Sequence, residues 1–346
     1  MNNETRKETQ VLPKDVRYVG ADDLTLPLFE NQYPVQPMGV SYNSYLILDE
    51  KIAVMDSVDA RAADEWLAKL AHELDGRSPD YLVISHMEPD HSGSILRLAE
   101  KYQEMKLVGN TKTFTMLRQF FGAKAPTDDR LLEVGEGETL PLGAHTLHFM
   151  LAPMVHWPEV MVAYEETEKL LFSADAFGRF GSLGRTANAP WAPQARRYYY
   201  NIVGKYGAQV QALLKKASAL EIKTVCPLHG PVLTGEALGE ALRLYDLWSR
   251  WQSESPDDIL LAHASIHGNT ARAAELFKQK LEAKGARVTL CDLTTTEVSY
   301  AVANAFYCGK LVLACSTYDG GLFPPMEEFL SHLQAKGFRS RTVGLM

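Results

Sequence analysis

A chain of 346 residues, 46% hydrophobic and 23% charged, has the composition of an ordinary globular protein and the length for two cores. A formal charge of −8 gives no electrostatic footprint for nucleic acid, and no apolar run reaches the roughly 20 residues of a membrane helix. Four cysteines, Cys226, Cys291, Cys308 and Cys315, form no CxxC pair; this argues against a cysteine zinc cage or a disulfide framework and fits a reducing compartment.

The opening MNNETRKETQ carries no apolar segment, so a cytoplasmic location is expected. The first two-thirds alternate strand-like and helix-like runs. SYLILD and IAVMD are followed by the helical ARAADEWLAKLAHEL at 60–74, then DYLVIS at 80–85, HTLHFMLA at 145–152, KLLFSAD at 169–175 and IKTVCPLHG at 222–230. The polar stretch Ser249 to Asp258 reads as a linker, dividing the chain into domains 1–254 and 255–346. Beyond it strands and helices alternate cleanly: DILLAHAS, NTARAAELFKQKLEAKG, ARVTLCDL, TEVSYAVANAFY, KLVLACS, PPMEEFLSHLQAKG and RTVGLM. That order predicts βαβ units and a doubly wound parallel sheet.

The segment ISHMEPDHSGS places His86, Glu88, Asp90 and His91 directly after the apolar run Tyr81 to Ile84. The spacing is poor for one helix face, so a loop leaving the strand is expected to carry all four. A bland alternative is a polar loop capping the next helix through Ser92 or Ser94. Three more potential ligands, His156, Asp175 and His229, each follow a strand-like run, where chain leaving a sheet can build a site. His145 and His148 lie on opposite faces of a strand and are read as structural or surface residues.

The order HMEPDH, His156, Asp175, His229 resembles the metallo-β-lactamase fold in the variant of the flavodiiron proteins, and Asp56 stands at that fold's structural aspartate. The resemblance runs from about residue 15 to the end. It implies an N-terminal metallo-β-lactamase-like αββα sandwich followed by a flavodoxin-like domain. It also implies two iron ions: His86, Glu88 and His156 on one, Asp90, His91 and His229 on the other, with Asp175 bridging. The zinc hydrolases of this fold have histidine where Glu88 stands. A carboxylate there makes the donor set harder and suits iron better than zinc.

In the second domain AHASIHGNTARAA opens a helix after a strand, where backbone N–H groups and the helix dipole favour an anion. It resembles the flavodoxin phosphate loop, which would bring Ser265, His267, Gly268, Asn269 and Thr270 to the phosphate of FMN. CSTYDGGLFPPM resembles the second flavin loop, with Ser316, Thr317, Tyr318, Asp319, Gly320 and Gly321 along the ring system. RSRTVGLM falls at the fourth strand, so the third flavin loop and the last strand and helix of a flavodoxin-like domain are expected to be missing from this sequence.

The resemblance implies reduction of O2 to water or of NO to N2O, electrons relayed by FMN from an external donor such as rubredoxin, and a head-to-tail homodimer. A binuclear zinc hydrolase and a flavin electron-transfer module with a vestigial metal site are the competing readings. Trp157, Phe177 and Tyr200 are candidates for tuning the centre because they lie near ligands in sequence.

Overall fold

The computed structural model describes residues 11–346; the leading decapeptide, on which the expected location rests, lies outside them. The chain forms two compact units, one running to Ala195 and resuming over Ala212–Leu242, the other made of Arg196–Gln211 and Arg243–Met346. Among the described residues no helix is long and apolar enough to cross a membrane.

The first unit contains two six-stranded sheets. One is β1 (Val16–Tyr18), β2 (Tyr45–Ile47), β3 (Ala53–Met55), β4 (Tyr81–Val83), β5 (Lys106–Gly109) and β6 (Leu131–Glu133), in that spatial order. Its first pairings are antiparallel and those from β3 to β6 parallel. The other is β7 (Thr139–Pro141), β8 (Thr146–Leu151), β9 (Met161–Glu165), β10 (Leu170–Phe172), β11 (Thr224–Cys226) and β12 (Leu233–Thr234), antiparallel except between β10 and β11.

Alternation along the strands explains the packing. Tyr45, Ile47, Ala53, Met55, Val83 and Val108 share one buried core with Leu147, Phe149, Met161, Ala163, Leu170 and Phe172. Successive side chains on a strand point to opposite faces, so this every-second-residue set is the lining between two sheets. The intervening Leu46, Val54, Leu82 and Leu107 are buried too. Both faces of the first sheet are therefore covered, as parallel strands require; Trp66, Leu70 and Leu74 on the helix Ala63–Leu74 supply a buried apolar stripe. The result is the αββα sandwich that the resemblance implies.

The second unit is built on a parallel sheet of β13 (Ser255–Ala264), β14 (Val288–Asp292), β15 (Cys308–Cys315) and β16 (Thr342–Leu345), in the order β14-β13-β15-β16. Leu261, Ala314 and Ala274 of the helix Asn269–Glu282 form its inner cluster, with Phe277, Val288, Leu290 and Val312 packed against them. The segment from 196 belongs to this unit because its rings are buried there: Tyr200 stacks on Phe306 at 3.9 Å, and Tyr199 lies 5.1 Å from Tyr245.

Candidate metal centre

The ligand candidates all leave strands of the first unit on connecting segments. After β3 comes Asp56, buried and at φ 56. Its carboxylate accepts from the backbone N–H of Ser85 at 2.7 Å and of His86 at 3.3 Å, which fixes the chain as it leaves β4. His86 and Glu88 sit on the expected loop. Asp90 and His91 do not: they lie on a single helical turn, Pro89–Ser92. Proline at the first position has its φ already set for a helix and no N–H to leave unpaired, while Glu88 O accepts from His91 and Ser92 at 2.9 and 2.8 Å. Ser92 Oγ donates to Met87 O, and Ser94 makes no side-chain cap bond, so neither serine acts as a cap.

His156 comes from the connection between β8 and β9, Asp175 follows β10, and His229 follows β11. The His229 loop is clamped by its neighbours. Asn43 Nδ2 donates to Pro227 O and Gly230 O at 2.8 and 2.7 Å, and Gly230 N donates to Ser41 Oγ at 2.7 Å. Gly230 is required twice over, since its φ is +79° and a Cβ would meet Arg179 Cγ at 2.6 Å.

The seven side chains converge as two groups, His86, Glu88, His156 and Asp175 in one and Asp90, His91 and His229 in the other. In the first, Glu88 Oε2 lies 3.2 Å from His86 Nε2 and 3.1 Å from His156 Nε2, and Asp175 Oδ2 lies 3.1 Å from His156 Nε2. In the second, Asp90 Oδ2 lies 3.2 Å from His229 Nε2 and 3.4 Å from His91 Nε2. The other oxygen of Asp175, Oδ1, lies 3.2 Å from His91 Nε2. Asp175 thus turns one oxygen to each group.

The donor set fits metal ions. Atoms bound at about 2.1 Å around one ion stand roughly 3.0–3.5 Å apart, as these do. His86 Nδ1 is 2.7 Å from Glu159 Oε1 and His229 Nδ1 is 2.7 Å from Ser41 O. Those bonds place the proton on Nδ1 and leave the Nε2 lone pair facing inward. Among the described residues only imidazole nitrogens face the buried oxygens of Asp90 and Asp175 Oδ1, a costly state unless a cation or a proton lies between.

The protonation tendencies point the same way. Burial works against charging His86, yet Asp175, Glu159 and Glu88 raise its pKa well above the ordinary histidine range. Burial likewise opposes charging His156, but Asp175 and Glu88 push it up to about 9. Burial would raise the Asp175 and Glu88 carboxyls, and the surrounding imidazoles instead lower both. The pocket calls for positive charge among its carboxylates, which metal ions supply without protons.

Most of the set is sealed, while Glu88 and Asp90 keep 11% and 12% of their side chains exposed. Both line a cavity of about 630 Å³ walled by Leu26, Leu28, Phe29 and Trp157, with Glu30, Asp59 and Arg61 also lining it. Although much of Glu30 is exposed, its carboxyl is drawn into this cavity; loss of water and the nearby Glu88 push its pKa up to about 7. Trp157 stands edge-on to His86, ring centroids 5.3 Å apart. Of the other two aromatic candidates, Phe177 accepts from Trp191 Nε1 through its carbonyl, and Tyr200 belongs to the second unit. Proximity in sequence was a poor guide for Tyr200, whose ring is buried in the second unit. His145 is buried against Glu165 and His148 pairs with Glu166, both away from the seven. Glu159, Ser41 and Asn43 escape a sequence reading.

In the second unit, the loop after β13 and the loop after β15 lie side by side at the ends of paired strands. Thr270 Oγ1 is 2.9 Å from Ser316 Oγ, and Ser265 Oγ accepts from Gly268 N at 3.1 Å. Gly268 holds φ +82° at the start of the helix Asn269–Glu282, with His267 just before it. Thr317–Tyr318 and Gly321–Leu322 pair as a short ribbon turning at Asp319 and Gly320. Hydroxyls beside a helix N-terminus suit a phosphate, and the exposed Tyr318 and Leu322 offer an apolar face to a flat ring system. These features fit FMN.

Comparison with known proteins follows the same lines. The model described as "ODP family beta lactamase" matches residues 40–230. The rubredoxin-oxygen oxidoreductase of Megalodesulfovibrio gigas is 29% identical over 335 residues, 93% of this chain and 80% of that protein. The anaerobic nitric oxide reductase flavorubredoxin of Vibrio vulnificus is 27% identical over 340 residues, 94% of this chain and 67% of that protein. The flavodiiron protein of Giardia intestinalis superposes with a TM-score of 0.90 at 27% identity, covering 96% of this chain and 82% of that one.

Proposed function

The chain belongs to the ODP family of β-lactamase-like proteins and is an oxidoreductase of the flavodiiron kind, and we propose that it reduces O2 to water, NO to N2O, or both. In this reading His86, Glu88 and His156 hold one iron, Asp90, His91 and His229 hold a second, and Asp175 is shared. FMN lies on Ser265, His267, Gly268, Asn269 and Thr270 on one side and on residues 316–321 on the other. The unit boundary that matters functionally is near 254, with the metal residues before it and the flavin residues after it. The donor is an external rubredoxin-like protein, the working state a head-to-tail homodimer, and the location cytoplasmic.

The observation that carries this reading is Glu88. Its carboxylate stands between two imidazoles and opens onto the cavity, so the first group is richer in oxygen donors than a three-histidine zinc site. When bound, the irons would supply electrons and open coordination positions for either gas, with FMN passing electrons to them. The chain's own contribution is placement. Asp56, Asn43 and Glu159 hold the ligand loops, so no rearrangement is needed to bring the two groups together. Leu26, Leu28, Phe29 and Trp157 give the cavity walls suited to small uncharged molecules, and a substrate entering there meets each group at its one partly exposed carboxylate.

The test is metal and flavin content of protein purified without oxygen from cells supplied with iron and zinc, followed by consumption of O2 and of NO with a chemical reductant. About two irons per chain with little zinc, and turnover of at least one gas, are expected. Zinc that resists displacement by ferrous ion would overturn the redox reading in favour of a hydrolase.

A further inference from the structure

We propose that Glu159 is a positioning residue that makes the two metal positions unequal, strengthening the one built on His86. This rests on the diiron reading above. Glu159 is 1% exposed, and a buried carboxylate is costly unless something specific employs it. One of its oxygens does two things: Oε1 lies 2.7 Å from His86 Nδ1 and accepts from Met87 N at 2.9 Å. It therefore fixes both the ring and the backbone next to it. Its other oxygen is buried with no donor among the described residues, so His86 is the one side chain its carboxylate is shown to engage.

Glu159 is itself held. Its carbonyl accepts from Asn110 Nδ2 at 2.6 Å, and Asn110 is anchored by accepting from Lys112 N and Thr113 N at the start of the helix Thr111–Phe121. Among the described residues the second group has no counterpart. His229 Nδ1 faces a neutral acceptor, the Ser41 carbonyl, at 2.7 Å, and His91 Nδ1 is buried without a partner. An imidazole backed by a carboxylate is a stronger donor and is locked in one tautomer. The His86 position consequently retains its ion longer and favours the ferric state more than the His91 and His229 position does.

The variants Glu159→Gln, Glu159→Ala and Glu159→Asp test this in the full-length protein. Glu159→Gln keeps an oxygen for Met87 N and His86 and removes only the charge. Removing such a partner typically weakens metal binding by about 10- to 100-fold. Iron loss to a chelator is measured alongside the Mössbauer spectrum and the midpoint potential. Wild type should lose one iron well before the other. Glu159→Gln should bring the two rates together, shift one Mössbauer component only and raise the potential of one iron; Glu159→Asp should restore part of the difference. A merely structural role would lower thermal stability without moving one component of the spectrum. If Glu159→Ala fails to fold, Glu159→Gln decides. Equal loss rates in wild type, or spectra and rates unchanged to within twofold in Glu159→Gln, would overturn the proposal. Should wild type take up no iron, the diiron reading fails by itself. The same comparison is then made with cobalt(II): visible bands shifted in Glu159→Gln support the positioning role, and unchanged bands overturn it.

Discussion

His91 Nε2 and His229 Nε2 stand 3.1 Å apart, and because His229 Nδ1 is engaged by the Ser41 carbonyl, the nitrogen turned toward His91 is a lone pair. Without metal, a proton on His91 Nε2 can bridge the two rings, whereas a bound ion would take both lone pairs. Removal of metal by a chelator should lower the thermal midpoint of the first unit by several degrees, and ferrous ion should restore it. Ligand at a hundredfold excess over its dissociation constant stabilises by about 2.7 kcal/mol. A melting curve indifferent to chelation would show that the groups need no ion.

Glu88 is the residue expected to set metal choice. Glu88→His creates a three-histidine group of the kind zinc favours, so the variant should carry zinc in place of iron when both are supplied. Reduction of either gas should fall in proportion to the iron displaced, since zinc has no redox chemistry. Iron content equal to wild type would refute this account of selectivity.

The pH response of the metal-free protein has a definite sign. His156 rises from 6.5 to about 9 on folding, so its contribution to stability is complete below about pH 6.5 and is lost as pH rises to about 9. Glu88 falls below its ordinary 4.5, so its contribution is complete above about pH 4.5 and is lost on further acidification. These two groups favour the metal-free protein between about pH 4.5 and 6.5, and Glu30, raised to about 7, weights the optimum toward the acid end of that window. Metal loading displaces the imidazole proton, so the loaded form should lack the alkaline decline and should release protons on formation. Denaturant titrations across pH, with and without metal, check both.

Gly230 follows His229 and has no room for a side chain. Gly230→Ala places a Cβ against Arg179 in a backbone conformation that alanine resists, at a cost of about 1–3 kcal/mol. Iron at the second position should be lost preferentially, since the displaced loop carries His229 and not His86. Unchanged stability and iron content would mean that the loop relaxes freely.

In the second unit, the double variant Ser265→Ala with Thr270→Val removes two hydroxyls from the proposed phosphate site. Bonds to a charged group are each worth about 1.5–3 kcal/mol, so FMN affinity should fall by at least about tenfold. Iron content should stay as in wild type. Flavin retention equal to wild type would place the phosphate elsewhere.

The convergence of the seven candidate residues was legible because four of them are packed into HMEPDH and the other three each follow a strand. Polar residues with no core to fill, repeated at strand ends, are visible without coordinates. Glu159 was not visible: a glutamate three residues after a histidine looks like any surface charge, and only the pairing of β8 with β9 carries it to His86 Nδ1. The helical turn at Pro89–Ser92 was missed for a related reason. Proline after Glu88 reads as a break, yet at the first helical position it starts a turn. Arg196–Gln211 joins the second unit through buried rings, a tertiary preference that local composition does not express.

The dispersal of the ligands along the chain decides when the centre can exist. His86 to His91 are synthesised together, but Asp175 and His229 arrive only after most of the second sheet has been made. The groups become a pair when β10 and β11 dock side by side, a contact between distant parts of the sequence that forms late. On the diiron reading, metal would be acquired by a nearly finished sandwich, and its supply would govern how much protein is active more than how much protein folds.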